Sequence, residues 1–294
     1  MNRSKHLALA FLLAAILCAA SFPQTAAETR AVTAKPFVLG VVEQFRSGVL
    51  KEDRTLNIYL PPGYDANAEA RYPVIYLLDG SADEDFIHVV GIVQFNNFSW
   101  VNRVPSSIVV GIANVDRRRD FTFPTRVDAD KRKFTTIGRS EKFISFIEKE
   151  LQPFVDKRYK TNSSRTLIGH SLGGLVATEI LFKKPELFDK YIIISPSLWW
   201  DNGSLLEMKP EILNATFSRP TSVYIGVGKE GFTPSMPPRV MEEDAKRLAE
   251  KIKATRNRSF TVYFDFLPLE DHATVTHQAV FNAFRMLYPT PASN

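Results

Sequence analysis

Cysteine is nearly absent from this chain of 294 residues: Cys18 is the sole example, and it sits in the apolar opening segment. Everything after that segment is free of thiols, so no disulfide framework holds the fold and its stability must come from a packed core. An apolar run long enough to cross a bilayer is missing too. The longest, Leu7 to Ala20, falls short of the ~20 residues a spanning helix needs. It follows the basic start Met1-Asn2-Arg3-Ser4-Lys5-His6 and leads into the small residues Thr25-Ala26-Ala27, which is the pattern of a signal peptide cut after Ala27. Leu17 stands before Cys18 where a lipoprotein signal needs a small residue, so lipid attachment is not expected. The chain therefore reads as exported, periplasmic or secreted, with no stable membrane insertion once residues 1–27 are removed.

Strong charge of either sign is also lacking. With Arg3 and Lys5 removed from the 37 basic residues, 35 face 32 acidic ones, a net of +3. A balance so close to neutral gives no support for nucleic-acid binding, and no polybasic block follows the leader to hold the protein at a membrane surface. Linkers, repeats and low-complexity segments are absent, so residues 28–294 read as one domain, a size common for a single α/β sheet. No sustained heptad or exposed apolar helix indicates an obligate partner.

What the sequence does contain is a series of short, apolar, β-branched runs: Leu56 to Leu60, Val74 to Leu78, Ile108 to Ile112, Arg165 to Ile168, Tyr191 to Ser195, Val223 to Val227 and Phe260 to Leu267. Such runs predict strands buried on both faces, as in a parallel sheet covered by helices. Helical periodicity lies between and after them, at Ser140 to Lys157, Pro238 to Ala254 and Thr274 to Tyr288. Strand and helix in alternation predict an α/β fold with a central, mostly parallel sheet and helices on both faces, the strands before residue 74 being antiparallel. In such a sheet the ligand crevice lies at the carboxyl ends of the strands.

Gly169-His170-Ser171-Leu172-Gly173-Gly174 sits between the run Thr166-Leu167-Ile168 and a helical stretch from Leu175 to Phe182. Strand, G-x-S-x-G and helix in that order predict a strained turn that exposes a serine hydroxyl. A serine hydroxyl is a weak nucleophile at neutral pH and needs a base beside it. On a sheet of this kind the partners follow the serine in the order acid, then histidine. His88 precedes Ser171, and His170 is its direct neighbour and is expected to point elsewhere. His272 follows the last strand on a loop at the carboxyl edge, whereas His277 falls within the last helix. Five helical residues turn a side chain by about 500°, so these two cannot share a face and a paired metal site is not expected.

Glu230, just past the strand Val223 to Val227, is the foremost candidate for the acid, with Asp201, Asp271 or no acid at all as alternatives. Its part would be to hold the imidazole's tautomer and stabilise the imidazolium. The oxyanion needs donors as well, and the N–H of Leu172 is one. The loop after the strand Val74 to Leu78 continues Asp79-Gly80-Ser81 and offers the N–H of Ser81 as the second.

The segments Tyr59-Leu60-Pro61-Pro62-Gly63-Tyr64, Tyr72 to Gly80, Gly169 to Gly174, Ser195-Pro196-Ser197-Leu198-Trp199-Trp200 and Glu270-Asp271-His272 together resemble an esterase family of the α/β-hydrolase fold. That family includes esterase D, enterochelin-type siderophore esterases, bacterial feruloyl esterases and mycolyltransferases. The resemblance spans most of residues 40 to 288. It implies a serine hydrolase of carboxylic esters, with Ser171 and His272 catalytic and the oxyanion hole at Ser81 and Leu172. It carries Glu230 less firmly, because the family's acid position varies. It further places substrate groups against the loops after the middle strands, here the run Arg117-Arg118-Arg119 and Leu198-Trp199-Trp200. Arg118 and Arg119 are accordingly candidates to pair an anionic or catecholate substrate, and Trp199 and Trp200 to offer flat apolar walls. No metal or organic cofactor is implied.

The expected partner is a small-molecule ester. The reading favoured is an exported esterase acting through an acyl-enzyme on a siderophore of the enterochelin type. The alternatives are an acyltransferase of the mycolyltransferase type and a plant-wall feruloyl or acetyl esterase. A binding protein that has lost the chemistry is disfavoured by the intact Ser171, His272 and oxyanion turn.

Overall fold

In the computed structural model the described residues are 34–210, 216–235 and 237–289; the leader reading of residues 1–27 lies outside them. Two strands open the fold, β1 (Val41–Arg46) and β2 (Asp53–Tyr59), followed by β3 (Tyr72–Leu77), α1 (Phe86–Asn97) and β4 (Ile108–Ile112). Two short helices, α2 (Arg117–Phe121) and α3 (Asp128–Lys133), lead to α4 (Ser140–Phe146), which runs through a π turn at Ile147–Leu151 into α5 (Gln152–Arg158). Then come β5 (Thr161–His170), α6 (Leu172–Lys183), β6 (Lys190–Ile194), α7 (Trp200–Glu207), β7 (Thr221–Gly228), α8 (Met241–Ala254), β8 (Phe260–Leu267) and α9 (Val275–Leu287).

The strands form one eight-stranded sheet in the order β1-β2-β4-β3-β5-β6-β7-β8. β2 runs antiparallel to both β1 and β4, and every other neighbouring pair is parallel. This is the expected α/β architecture, with the antiparallel strands before residue 74. The central strands are apolar at successive positions, as in Tyr191, Ile192, Ile193 and Ile194, and all four are fully buried. Both faces of the sheet are covered, because strand side chains alternate between them. Leu167, Leu175, Phe143 and Leu248 belong to the apolar cluster under α4, α5, α6 and α8. Ile168, Val89, Val280 and Phe284 belong to the cluster under α1 and α9 on the other face.

The elements differ from the sequence reading in a few places. The run Arg165 to Ile168 extends in both directions to form β5, since its polar start pairs with β3 at Tyr72 and Thr161. The single helix expected over Ser140 to Lys157 contains the π turn. α1 gives no clear helical period because Ile87 and Phe95 are apolar yet exposed, so hydrophobicity alone does not mark its buried face. Among the described residues no helix is long and apolar enough to cross a membrane.

Candidate active site

β3 through β8 all run in the same direction, so their carboxyl ends open on one edge of the sheet. The turn after β5 is the tightest feature there. Ser171 adopts φ 59°, ψ −117°, a region of backbone space that costs a non-glycine residue about 1–3 kcal/mol. The surroundings hold it in place: its N–H donates to the Ile194 carbonyl (3.0 Å), and the N–H of Ser197 donates to its own carbonyl (3.0 Å). The glycines beside it are required by close approach. A Cβ at Gly169 would lie 2.4 Å from the Gly173 oxygen, and one at Gly174 would lie 2.9 Å from the Ile194 oxygen. No larger residue lets α6 start this near to β5 and β6.

Onto this turn the structure brings His272 and Glu230. His272 Nε2 lies 3.0 Å from Ser171 Oγ, and His272 Nδ1 lies 2.6 Å from Glu230 Oε2. A neutral imidazole protonated at Nδ1 donates to the carboxylate and leaves Nε2 to accept the serine proton. Glu230 is buried, its side chain 3% exposed. Burial is the largest influence and opposes its ionisation, but hydrogen bonds from His272, Ser195 and the Gly228 N–H together hold its carboxyl below the usual range. Ser195 Oγ donates to Glu230 Oε1, which also accepts the Gly228 N–H at 3.1 Å.

Two neighbouring segments fix these partners. The N–H groups of Glu230 and Gly231 donate to the carboxylate of Glu242, in the first turn of α8, at 2.7 and 3.1 Å. The Lys229 N–H donates to the Glu270 carbonyl (2.7 Å), tying the acid's turn to the histidine's loop. A Cβ at Gly228 would sit 2.7 Å from that same carbonyl oxygen.

The other acids are engaged elsewhere. Asp201 accepts from the Arg126 N–H (2.6 Å) and from Thr125 Oγ1 (3.2 Å). Asp271 accepts from the N–H groups of Ala273 and Thr274 (2.8 and 3.0 Å) at the start of α9. His277 lies against His88, their ring centroids 5.0 Å apart.

His170 packs against the base, a contact the sequence did not indicate. Its ring lies over that of His272 with centroids 4.8 Å apart. Burial first, and the neighbouring His272 second, lower its pKa to about 4, so it is neutral at physiological pH. Ser197, which the sequence reading did not single out, brings its Oγ to 3.4 Å from Ser171 Oγ. The pattern S-P-S offered no signal of this, because contact arises only when the β6 end curls back to the elbow.

Leu172 is the first residue of α6, and its N–H therefore has no acceptor within the helix. The Asp79-Gly80-Ser81 turn lies alongside, since Leu77 is paired with Ile168 across β3 and β5. Asp79 adopts φ 53°, and Arg117 grips its carboxylate with two bonds of 2.6 and 2.9 Å. Asn114 donates to it at 2.7 Å, and Asn57 donates to the Gly80 carbonyl at 2.8 Å. The turn bearing Ser81 is thus held rigidly beside the elbow. Ser81 Oγ itself donates to Glu84 (2.6 Å).

The arginine run divides. Arg118 lines a hollow of about 210 Å³ beside Ser171, together with Arg117, Phe134, Trp199 and Trp200. Its guanidinium lies 4.6 Å from the Phe134 ring centroid, and among the described residues no carboxylate forms an ion pair with it. Arg119 does not reach the hollow, which corrects the expectation for it. It pairs with Glu52 (2.6 and 2.8 Å) and Asp120 (2.7 Å), and Asp120 in turn pairs with the buried Arg54 at 2.8 Å. Successive residues of a helix point about 100° apart, so three consecutive arginines on α2 cannot share one direction. Trp199 is half-buried and faces the hollow. Trp200 is 2% exposed, packs in the core with its Nε1 donating to the Phe123 carbonyl (2.9 Å), and shows the hollow only part of its ring.

A serine oxygen in contact with an imidazole that a buried carboxylate orients can transfer acyl groups. Comparison with known proteins bears on which. The family model described as Putative esterase matches residues 47–283. The chain belongs to this family. The esterase is 28% identical over 282 residues to the ferri-bacillibactin esterase BesA of Bacillus subtilis, covering 90% of this chain and 96% of the relative. Among solved structures it is similar to an IroE-like serine hydrolase from Shewanella oneidensis, with 30% identity, TM-score 0.74 and coverage of 85% of this chain and 80% of that one. The BES protein from Bacillus cereus matches with 26% identity and TM-score 0.74, over 88% of this chain and 100% of that one. The protein is an ester hydrolase acting on a small-molecule ester.

Proposed function

We propose that the protein is an exported serine esterase that opens the ester bonds of a siderophore through an acyl-enzyme. The observation that carries the mechanism is the continuous chain of hydrogen bonds from Ser171 Oγ through His272 to Glu230. Ser171 Oγ attacks the ester carbonyl while its proton passes to His272 Nε2. Glu230 stabilises the imidazolium across Nδ1, and the oxyanion that forms accepts hydrogen bonds from the N–H groups of Leu172 and Ser81, each worth roughly 3 kcal/mol. Collapse breaks the bond to the alcohol, whose oxygen takes the proton from Nε2. Water then repeats the sequence and releases the acid.

The siderophore assignment is supported by the relatives. BesA is a ferri-bacillibactin esterase, and a shorter match of 37% identity over 150 residues, 46% of this chain and 47% of the relative, is to the siderophore triacetylfusarinine C esterase of Aspergillus fumigatus. Arg118 and Trp199 suit the substrate class, one supplying a cation with no carboxylate ion pair among the described residues and the other a flat wall for an aromatic acid. Export is supported by the leader pattern of residues 1–27.

The test is a panel of ferric and iron-free trilactone siderophores alongside feruloyl and acetyl sugars, followed by mass spectrometry. Hydrolysis of the siderophores at least as fast as of the sugar esters is expected. Preference for feruloyl sugars would contradict the assignment.

A further inference from the structure

Two hollows meet at Ser171. The first, of about 210 Å³, holds Arg118, Phe134, Ile137 and Leu172. The second, of about 250 Å³, holds His272, Glu230, Phe232, Thr233 and Pro234. Ser171, Ser197 and Trp199 line both, so Trp199 stands where they join. An ester bound for attack at Ser171 must send its acyl group one way and its alkoxy group the other. Which way is fixed by the proton. The departing alkoxide oxygen has to come within hydrogen-bond reach of His272 Nε2, about 2.6–3.2 Å, to be protonated as the C–O bond breaks. His272 borders the second hollow and not the first, whereas Leu172, whose N–H faces the carbonyl oxygen, borders the first.

We infer that the hollow beside Phe232 binds the alcohol part of the ester and the hollow beside Arg118 binds the acyl part. This assignment rests on the acyl-enzyme reading above. Charge separates the two sites. The acyl side carries Arg118 over Phe134 and suits a flat acyl group bearing negative charge. Among the described residues the alcohol side carries the Glu230 carboxylate and no lysine or arginine, so it disfavours an alcohol bearing negative charge. Phe232, 78% exposed, supplies an aromatic surface at its rim.

That rim is firmly placed. The Thr233 N–H donates to the Arg239 carbonyl (2.7 Å), the Arg239 N–H returns to Thr233 Oγ1 (3.0 Å), and the Met241 N–H donates to the Gly231 carbonyl (3.0 Å).

The two subsites differ in the steps they govern. In the first half-reaction the Ser171 Oγ–carbonyl bond forms, the carbonyl–alkoxy bond breaks, and the serine proton leaves with the alcohol by way of His272. In the second, a water oxygen bonds to the carbonyl carbon, the bond to Ser171 breaks, and a water proton returns to Ser171. The alcohol is gone by then, so its subsite affects acylation alone, while the acyl subsite affects both steps.

The experiment compares the purified parent, Phe232→Ala and Arg118→Gln, both changes being at exposed side chains. Acetate esters of phenethyl alcohol and ethanol vary the alcohol, and p-nitrophenyl succinate and butyrate vary the acyl group. Acylation is read as kcat/KM, and deacylation as the decay of the acyl-Ser171 mass in single turnovers. Phe232→Ala is expected to lower kcat/KM about tenfold for the phenethyl ester, with the decay of acetyl-Ser171 as in the parent. Arg118→Gln is expected to lower kcat/KM about tenfold for the succinyl ester and to slow decay of succinyl-Ser171, with butyryl esters little changed. The crossed pattern, in which Phe232→Ala alters decay or Arg118→Gln discriminates between alcohols, would overturn the assignment alone. Absence of any acyl-Ser171 in the parent would overturn the acyl-enzyme reading together with it.

Discussion

Glu230 and His170 both contact the His272 imidazole, one as an anion and the other as a neutral ring, and both bear on pH. Glu230 has a depressed folded pKa, so its contribution to stability is present above the ordinary carboxyl value and is lost as pH falls through the folded one. His170 is also depressed, from 6.5 to about 4. For a histidine this means that the unfolded chain binds a proton the folded protein refuses, so stability declines as pH falls from 6.5 towards about 4. The loss approaches about 3 kcal/mol at the lower end. Chemical denaturation across that window should show His170→Asn with a flatter profile than the parent; an unchanged slope would contradict the neutral, buried assignment. At neutral pH Glu230→Gln removes the carboxylate that orients His272, and kcat/KM should fall roughly a thousandfold with little change in KM. An effect on KM alone would place Glu230 outside the chemistry.

These residues show what a sequence can and cannot reveal. Ser171, His272 and Glu230 are legible because each follows an apolar run that marks a strand end, while chain order excludes His88 and the helical period of the last segment sets His277 aside. The contacts of His170 and Ser197 are not, because they depend on how the β5 and β6 ends fold over one another. The expectation for Arg119 fails for a simpler reason, since the run reads as a loop in the sequence and is a short helix in the fold, which turns Arg119 away from Arg118.

Among the elements, α8 has a part beyond covering the sheet. Its first turn supplies Glu242, which accepts the N–H groups of the acid's own turn. The anion also suits a helix N-terminus. Glu242→Gln keeps an acceptor, whereas Glu242→Ala leaves both N–H groups without one. The alanine variant should therefore lose about 1–3 kcal/mol of stability and about tenfold in kcat. The glutamine variant should recover most of both, as thermal melts and steady-state rates would show. Equal losses in the two variants would mean that charge, and not the hydrogen bonds, matters there. The long amphipathic α8 was readable from its periodicity, and the short charged α2 and α3 were not, because a turn or two of helix offers no repeat to detect.

On the scale of the whole molecule, a sheet without disulfides is held by its two apolar layers and by one buried ionic cluster. Arg54 and Asp120, each 1% exposed at the side chain, pair at 2.8 Å, and Arg54 lies 5.5 Å from the Phe146 ring centroid. Removing Arg54 leaves Asp120 with Arg119 as its remaining cation, so Arg54→Ala should cost about 2–3 kcal/mol by urea denaturation, less than the about 3–5 kcal/mol lost when a buried charge keeps no partner. The same cluster anchors α2, whose other arginines reach the Asp79 turn and the acyl hollow. The proposed leader belongs to this scale as well: if residues 1–27 are removed on export, N-terminal sequencing of protein recovered from the periplasm or medium should begin at Glu28, and a mature chain that still starts at Met1 would contradict the proposal.

In the proposed mechanism Ser171 becomes acylated with His272 as its base. Pre-steady-state hydrolysis of p-nitrophenyl butyrate, with peptide mass spectrometry of the quenched protein, tests it most directly. A stoichiometric burst of nitrophenol, a butyryl group on the peptide containing Ser171, and loss of both in Ser171→Ala are expected. Hydrolysis by Ser171→Ala at the parent's rate, or acylation at another residue, would contradict it.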